Sequence, residues 1–148
     1  MTTGSKAEAI IKKFEGKRLK AYKDLGGTWT IGYGTTFNFD ENRPVRSTDV
    51  INDKTALAWL RHDIAERTAA ISKLIKVPVT QNMLDSMTSL AFNIGLGAFQ
   101  KSTLLRLLNN KANKALVADE FLKWNKVAGK EIPGLTARRK LEKDLFLK

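Results

Sequence analysis

The chain has 148 residues, 43% apolar and 28% charged, enough for one packed core, and it holds no run of about 18 apolar residues that would cross a bilayer. With no cysteine and a single histidine, His62, it excludes a disulfide framework, thiolate chemistry and an imidazole cluster, and no metal or cofactor is expected. The 26 Lys and Arg against 15 Asp and Glu leave a net charge of +11, which implies an acidic partner without choosing among nucleic acid, anionic lipid and anionic wall polymer. Residues 4–15 place Ala7, Ile10, Ile11 and Phe14 at helical spacing, with Ser5 as N-cap and Gly16 as the stop. Residues 19–36 are β-formers and glycines, with Gly26-Gly27 at a hairpin turn and Gly32 and Gly34 punctuating the returning strand. Residues 37–47, which include Pro44, are polar and read as loop.

Helical periodicity resumes near Asn52, where Leu57, Leu60, Ile64, Ile71, Leu74 and Ile75 form one stripe that Val77-Pro78 ends. Thr80 reads as the N-cap of a helix carrying Met83, Met87, Leu90, Ala91 and Ile94 on one face, with breaks at Gly95 and Gly97. Ser102 caps a short helix, TLLRLLNN. Further helices are expected over 114–125 and 135–147, split by a loop holding Gly129, Pro133 and Gly134. The order predicts a single α+β domain dominated by helix. Residues 1–51 form an N-terminal helix and β-rich lobe, 52–76 a connecting helix, and 77–148 a helical lobe.

Three side chains in the β-rich stretch are candidates for chemistry. Glu15 ends the first helix, Asp24 precedes the hairpin turn, and Thr30 lies on the returning strand. A three-residue loop over 25–27 requires Gly27 in the left-handed region and pairs Tyr22 with Thr30 and Asp24 with Thr28. Tyr22, Asp24, Thr28 and Thr30 then share one face, with Trp29, Ile31 and Tyr33 on the other. A two-residue Gly26-Gly27 turn instead sends Asp24 and Thr30 to opposite faces.

Glycoside cleavage needs one carboxyl to protonate the leaving oxygen and a second, ionised, to serve the incoming water or the developing positive charge. Glu15, after Phe14, is expected to be partly buried, which favours retention of its proton. Asp24 sits in a polar turn that favours ionisation, and the Thr30 hydroxyl suits a water. From residue types alone, a solvated helix-end glutamate and a turn-forming aspartate explain the same positions, and both readings stand.

The segment FEGKRLKAYKDLGGTWTIGYG spaces Glu15, Asp24 and Thr30 as Glu, eight residues, Asp, five residues, Thr, flanked by EGxRLxAYxD and TIGYG. With SLAFNIGLGAFQKSTLLRLLN at 89–109 and GLTARRKLE at 134–142, the sequence resembles phage-type lysozymes, or endolysins, over nearly its whole length. The resemblance implies a mainly helical lysozyme-like fold in which a small N-terminal β-hairpin lobe joins a helical C-terminal lobe through a long helix. It implies a muramidase that hydrolyses the β-1,4 bond between N-acetylmuramic acid and N-acetylglucosamine in peptidoglycan, with Glu15 as general acid and Asp24 with Thr30 handling the water. The family's inverting assignment predicts carboxyl groups roughly 6.5–9.5 Å apart. Thr36, Phe92 and Ser102 fall where the family meets sugar, although each also has a structural reading: Thr36 as a strand end, Phe92 as core, Ser102 as an N-cap.

Many relatives carry His directly after the TIGYG-like segment. Here the residue is Thr35, which removes a proton-coupled contact. His62 is expected to be a partly exposed helix residue, Trp59 and Trp124 to pack in the core, and Trp29 to lie beneath the hairpin. Arg138 and Arg139 are candidates for anionic wall groups or for pairing with acids at the lobe interface. The run ARRKLEKDLFLK suits contact with an anionic membrane or, more commonly, docking of its Leu141 and Leu145 side. The partners expected are peptidoglycan and, through net charge, anionic envelope polymers. No nucleic-acid motif is present, and a monomer is expected. The first fifteen residues lack an apolar secretory core. Synthesis in a host cytoplasm, then release to the wall through a membrane lesion, is therefore expected.

Overall fold

The change along the chain from helix to β-former and back to helix is realised in the computed structural model, which describes residues 4–148. Helix α1 is Ser5–Glu15, followed by strands β1 (Arg18–Lys23), β2 (Trp29–Gly32), β3 (Phe37–Asn38) and β4 (Arg43–Pro44). Helices α2 (Asp53–Leu74), α3 (Gln81–Ile94), α4 (Leu96–Gln100), α5 (Thr103–Asn109) and α6 (Lys114–Asp119) come next, then a 3-10 turn at Glu120–Lys123. A last pair of strands, β5 (Lys126–Val127) and β6 (Lys130–Glu131), leads into α7 (Pro133–Leu147). The fold is α+β and dominated by helix. The chain divides into two compact units, one spanning Ile11–Asp63 and the other joining the start of the chain through Ile10 to Ile64–Lys148.

In the Ile11–Asp63 unit, β1 and β2 pair antiparallel with Tyr22 opposite Thr30 and Lys23 opposite Trp29. The outer edge of β1 is held by Ala21 N–H donating to the Asp49 carbonyl (3.1 Å) and by Ile51 N–H donating to the Leu19 carbonyl (2.9 Å). Alternation along the hairpin sends Ala21, Trp29 and Ile31 to an apolar cluster with Val45, Trp59, Phe39 and Ile51. Trp29 and Trp59 thus pack as expected. Asn52 caps α2, its Oδ1 accepting from Thr55 N–H at 2.8 Å.

Residues 37–47, expected as loop, instead contain the β3–β4 hairpin, with Phe37 opposite Pro44 and Asn38 opposite Arg43. Polar contacts rather than apolar alternation hold it. Arg43 grips Asp49 with two hydrogen bonds of 3.0 and 2.8 Å and also pairs with Glu41. Arg46 N–H donates to Asp49 Oδ2 at 2.8 Å. The Arg43 guanidinium, aided by the Arg46 amide and opposed by burial, holds the Asp49 carboxyl down at about 2.

In the other unit, Thr80 caps α3 by accepting from Met83 N–H at 3.1 Å, and Gly95, at φ 94°, ends that helix. Met87, Leu90, Phe99, Leu104, Phe121 and Phe146 anchor the core, with Trp124 packed against it. Several expectations need correction here. Helix α1 starts at Ser5 itself, and the Gly4 carbonyl accepts from Glu8 N–H (3.2 Å), so Gly4 rather than Ser5 occupies the capping position. Gly97 lies inside α4, because a helix this short loses little to one glycine. The helix expected over 114–125 tightens after Asp119 into the 3-10 turn. The loop that follows holds the β5–β6 hairpin, turned by Ala128 and Gly129 at φ 51° and 81°. Pro133 and Gly134 belong to the first turn of α7, where proline's missing N–H goes unneeded. Along α7, Leu145 is buried whereas Leu141 lies at the exposed edge of the docked face.

The docked face of α7 is largely ionic. Arg138, Arg139 and Glu142 are all buried, with Arg139 and Glu142 at 0% exposure. Glu142 receives Arg138 Nε at 3.2 Å, Arg139 at 2.5 Å and the Ser89 hydroxyl at 2.5 Å. Arg138 also donates to the Ser89 carbonyl (3.0 Å), and Arg139 to the Trp124 carbonyl (2.8 Å) and to Asn93. Of the two roles expected for these arginines, pairing with an acid is the one observed.

Candidate active site

The turn between β1 and β2 decides the site. Gly27 takes φ 82°, a left-handed conformation open to glycine at little steric cost. Asp24 N–H donates to the Thr28 carbonyl at 2.9 Å, and Gly27 N–H to the Asp24 carbonyl at 3.0 Å. The loop therefore has three residues, Leu25, Gly26 and Gly27, and the register is the one that places Tyr22, Asp24, Thr28 and Thr30 on one face.

The backbone of Thr28 ties this face together. Its N–H donates to Asp24 Oδ1 at 2.9 Å, which fixes the carboxylate by one oxygen. Its carbonyl also accepts from the Thr30 hydroxyl at 2.9 Å, so Thr30 Oγ1 spends its proton inward and keeps its lone pairs for another donor. Asp24 is exposed and Thr30 buried. Glu15, the last residue of α1, is half-buried, and Gly16 at φ 69° turns the chain from that helix toward β1.

Tyr22, directly across from Thr30, is half-buried and carries the Arg18 guanidinium over its ring, 4.4 Å from the centroid. Burial raises the Tyr22 phenol above its ordinary value. Arg18 opposes the rise, and the Glu15 and Asp24 carboxylates both add to it. The phenol is thus within electrostatic reach of both acids. Lys17, two residues after Glu15, pairs with Asp53, which raises its ammonium pKa through their hydrogen bond.

The remaining candidates divide between the two units. Thr36 is in the hairpin unit, its side chain exposed and its carbonyl accepting from Val45 N–H at 3.0 Å. Phe92 and Ser102 belong to the other unit. Phe92 is half-buried on α3 with the Arg67 guanidinium 4.9 Å from its ring centroid. Ser102 caps α5, accepting from Leu105 N–H (3.1 Å) and donating to the Phe99 carbonyl (2.6 Å). Thr35 is buried, and its hydroxyl, a neutral donor, donates to Asp63 Oδ2 at 3.0 Å.

Neither Tyr22, which marks the hairpin register, nor Arg18 stands out in the sequence as a site residue. Their i, i+4 separation along β1, ending opposite Thr30, was the available signal.

A profile of the phage lysozyme family matches residues 12–142. The endolysin of Acyrthosiphon pisum secondary endosymbiont phage 1 is 47% identical over 150 residues, covering 99% of this chain and 98% of the relative. Among solved structures, a mutant of P22 lysozyme superposes with a TM-score of 0.84 at 44% identity, covering 100% of this chain and 99% of that one. The muramidase domain of SpmX from Asticaccaulis excentricus gives a TM-score of 0.86 at 32% identity, covering 99% of this chain and 98% of that one. Family profile, sequence identity and fold agree over nearly the whole chain, and the chain belongs to the phage lysozyme family, muramidases that degrade peptidoglycan.

Proposed function

We propose that this chain hydrolyses the β-1,4 bond between N-acetylmuramic acid and N-acetylglucosamine, with Glu15 as general acid and Asp24 and Thr30 directing the water. The observation that carries this reading is the hairpin register, which puts Asp24 and Thr30 on one polar face. One Asp24 oxygen is held by the Thr28 amide, which leaves the second to accept a proton from water. Thr30 Oγ1, anchored as a donor to the Thr28 carbonyl, accepts the other. The water oxygen forms a bond to the anomeric carbon as the glycosidic C–O bond breaks. The leaving oxygen keeps that electron pair and takes the Glu15 proton, and Asp24 takes one from the water. Glu15 stands half-buried at the end of α1, where it can reach the leaving oxygen as the acid of the pair.

Glu15→Gln should lower muropeptide release from purified sacculi by about 100-fold or more while the melting temperature is kept. Wild-type release by that variant would refute the reading. Mass analysis of the released muropeptides should show hydrated reducing ends. Products ending in an anhydro sugar would identify a lytic transglycosylase instead.

Thr36 and Phe92 keep side-chain surface open to a saccharide, whereas the Ser102 hydroxyl is occupied within the fold. Thr36→Ala and Phe92→Ala should therefore raise KM, and Ser102→Ala should act on stability. An unchanged KM in both of the first two variants would remove them from the saccharide site. The work of the enzyme is at the cell wall, and among the described residues no helix is long and apolar enough to cross a membrane.

A further inference from the structure

We infer that Tyr22 is a positioning residue of the hydrolysis, its hydroxyl orienting the attacking water together with Thr30 and Asp24, and that Arg18 fixes the plane of its ring. The inference rests on the reading of Asp24 and Thr30 given above.

The placement comes from the hairpin itself. Tyr22 is the cross-strand partner of Thr30 and precedes Asp24 by two residues on the same strand face. Directly opposed residues have Cβ atoms about 4.5–5.5 Å apart, so a tyrosine there extends its hydroxyl alongside or past the threonine. The Arg18 guanidinium lies over the ring at 4.4 Å, and the irregular register between Arg18 and Tyr22 bends β1 at that point. A planar cation on one face removes much of the ring's freedom to swing. Burial, opposed by Arg18 and aided by the Glu15 and Asp24 carboxylates, raises the phenol above its ordinary value, so it is a neutral donor through the range in which a carboxylate pair works.

The arrangement accounts for each valence of the water. Its two O–H groups donate hydrogen bonds to Asp24 and to Thr30 Oγ1, which is already committed as a donor to the Thr28 carbonyl and so accepts. One lone pair accepts from Tyr22 Oη–H. The lone pair left over is the one aimed at the anomeric carbon. Without the phenol, the water keeps its two acceptors and rotates about them, so the loss falls on the rate and not on saccharide binding.

Tyr22→Phe keeps the ring, its burial and the contact with Arg18. The expected result on purified sacculi is a fall in kcat of about two- to tenfold, the worth of one hydrogen bond. KM and melting temperature should stay at wild-type values. Unchanged kcat, or a loss confined to KM and stability, would overturn the inference.

Arg18→Met retains the aliphatic stem and should lower kcat by a smaller factor. Combined with Tyr22→Phe it should add nothing, since both act through one hydroxyl. Full additivity would overturn the assignment of Arg18. Asp24→Asn measured in parallel separates the two levels. A silent Tyr22→Phe beside an inactive Asp24→Asn rejects only the Tyr22 assignment, whereas an active Asp24→Asn rejects the reading beneath it.

Discussion

The two units use charge in opposite ways. In the Ile11–Asp63 unit the apolar cluster is small, built on Ile31, Val45 and Trp59, and the carboxylate of Asp24 stays at the surface on a hydrogen-bonded turn. In the helical unit the apolar cluster is larger, and it is accompanied by two guanidiniums closed around the Glu142 carboxylate. A buried ion of this kind is committed to structure, because leaving it unpaired is so unfavourable. An exposed carboxylate held by a single backbone amide stays open to solvent and to a substrate. On the proposed reading, the chemistry falls in the unit with the smaller apolar cluster, and the Arg138–Arg139–Glu142 set holds helices together.

The sharpest way to break this contrast is Glu142→Ala, which strands two buried cations and should destabilise the protein by about 3–5 kcal/mol in denaturant unfolding. A loss under about 1 kcal/mol would mean the network is more solvated than its burial implies. Thr35→Val should have the next largest effect. It removes the hydroxyl donor to the buried Asp63 carboxylate, at a cost of roughly 1–3 kcal/mol, with activity per folded molecule unchanged. Equal stability of variant and wild type would show that the hydroxyl contributes nothing.

A smaller effect is expected on the acid side. The Asp49 carboxyl sits at about 2 in the fold, below its unfolded value of about 3.9. A depressed pKa contributes stability that is fully present above the unfolded value and disappears as pH falls through the folded one. Wild type should therefore lose melting temperature between about pH 4 and pH 2 more steeply than Asp49→Asn. Parallel slopes would dismiss the Arg43–Asp49 pair as a source of acid sensitivity. The smallest effect concerns net charge. If the +11 aids encounter with anionic envelopes, added salt should slow lysis of permeabilised cells more than cleavage of a neutral oligosaccharide. Equal slowing would assign the charge no such part.

Much of this was readable in the residues. Thr80 and Ser102 announced their helices because a hydroxyl just before an apolar helical stripe satisfies amides that would otherwise lack partners. The β1–β2 hairpin was readable because a glycine pair between β-formers limits the possible turns. Choosing between the two registers needed coordinates, since Gly26 and Gly27 are both permissive. The β3–β4 and β5–β6 hairpins were not legible. Strands of two residues carry no period, and Ala128 in a left-handed conformation departs from the usual turn composition. The pairing of Arg138 and Arg139 with an acid was open to expectation, but their burial was not, for another reason. Charged side chains default to solvent, and only the i+3 and i+4 spacing of Glu142 from Arg139 and Arg138 hinted that they close on one carboxylate.

The three-residue loop at positions 25–27 acts as a parity element. Removing or inserting one residue there inverts which strand side each downstream side chain presents, and so parts Thr30 from Asp24 even if every hydrogen-bonded rung re-forms. Substitutions at Leu25, whose side chain is fully solvated, leave that parity intact. Natural drift in this segment should consequently proceed by exchange of residues, or by length changes in twos, and a library of single-residue deletions across positions 25–27 should yield folded but inactive proteins.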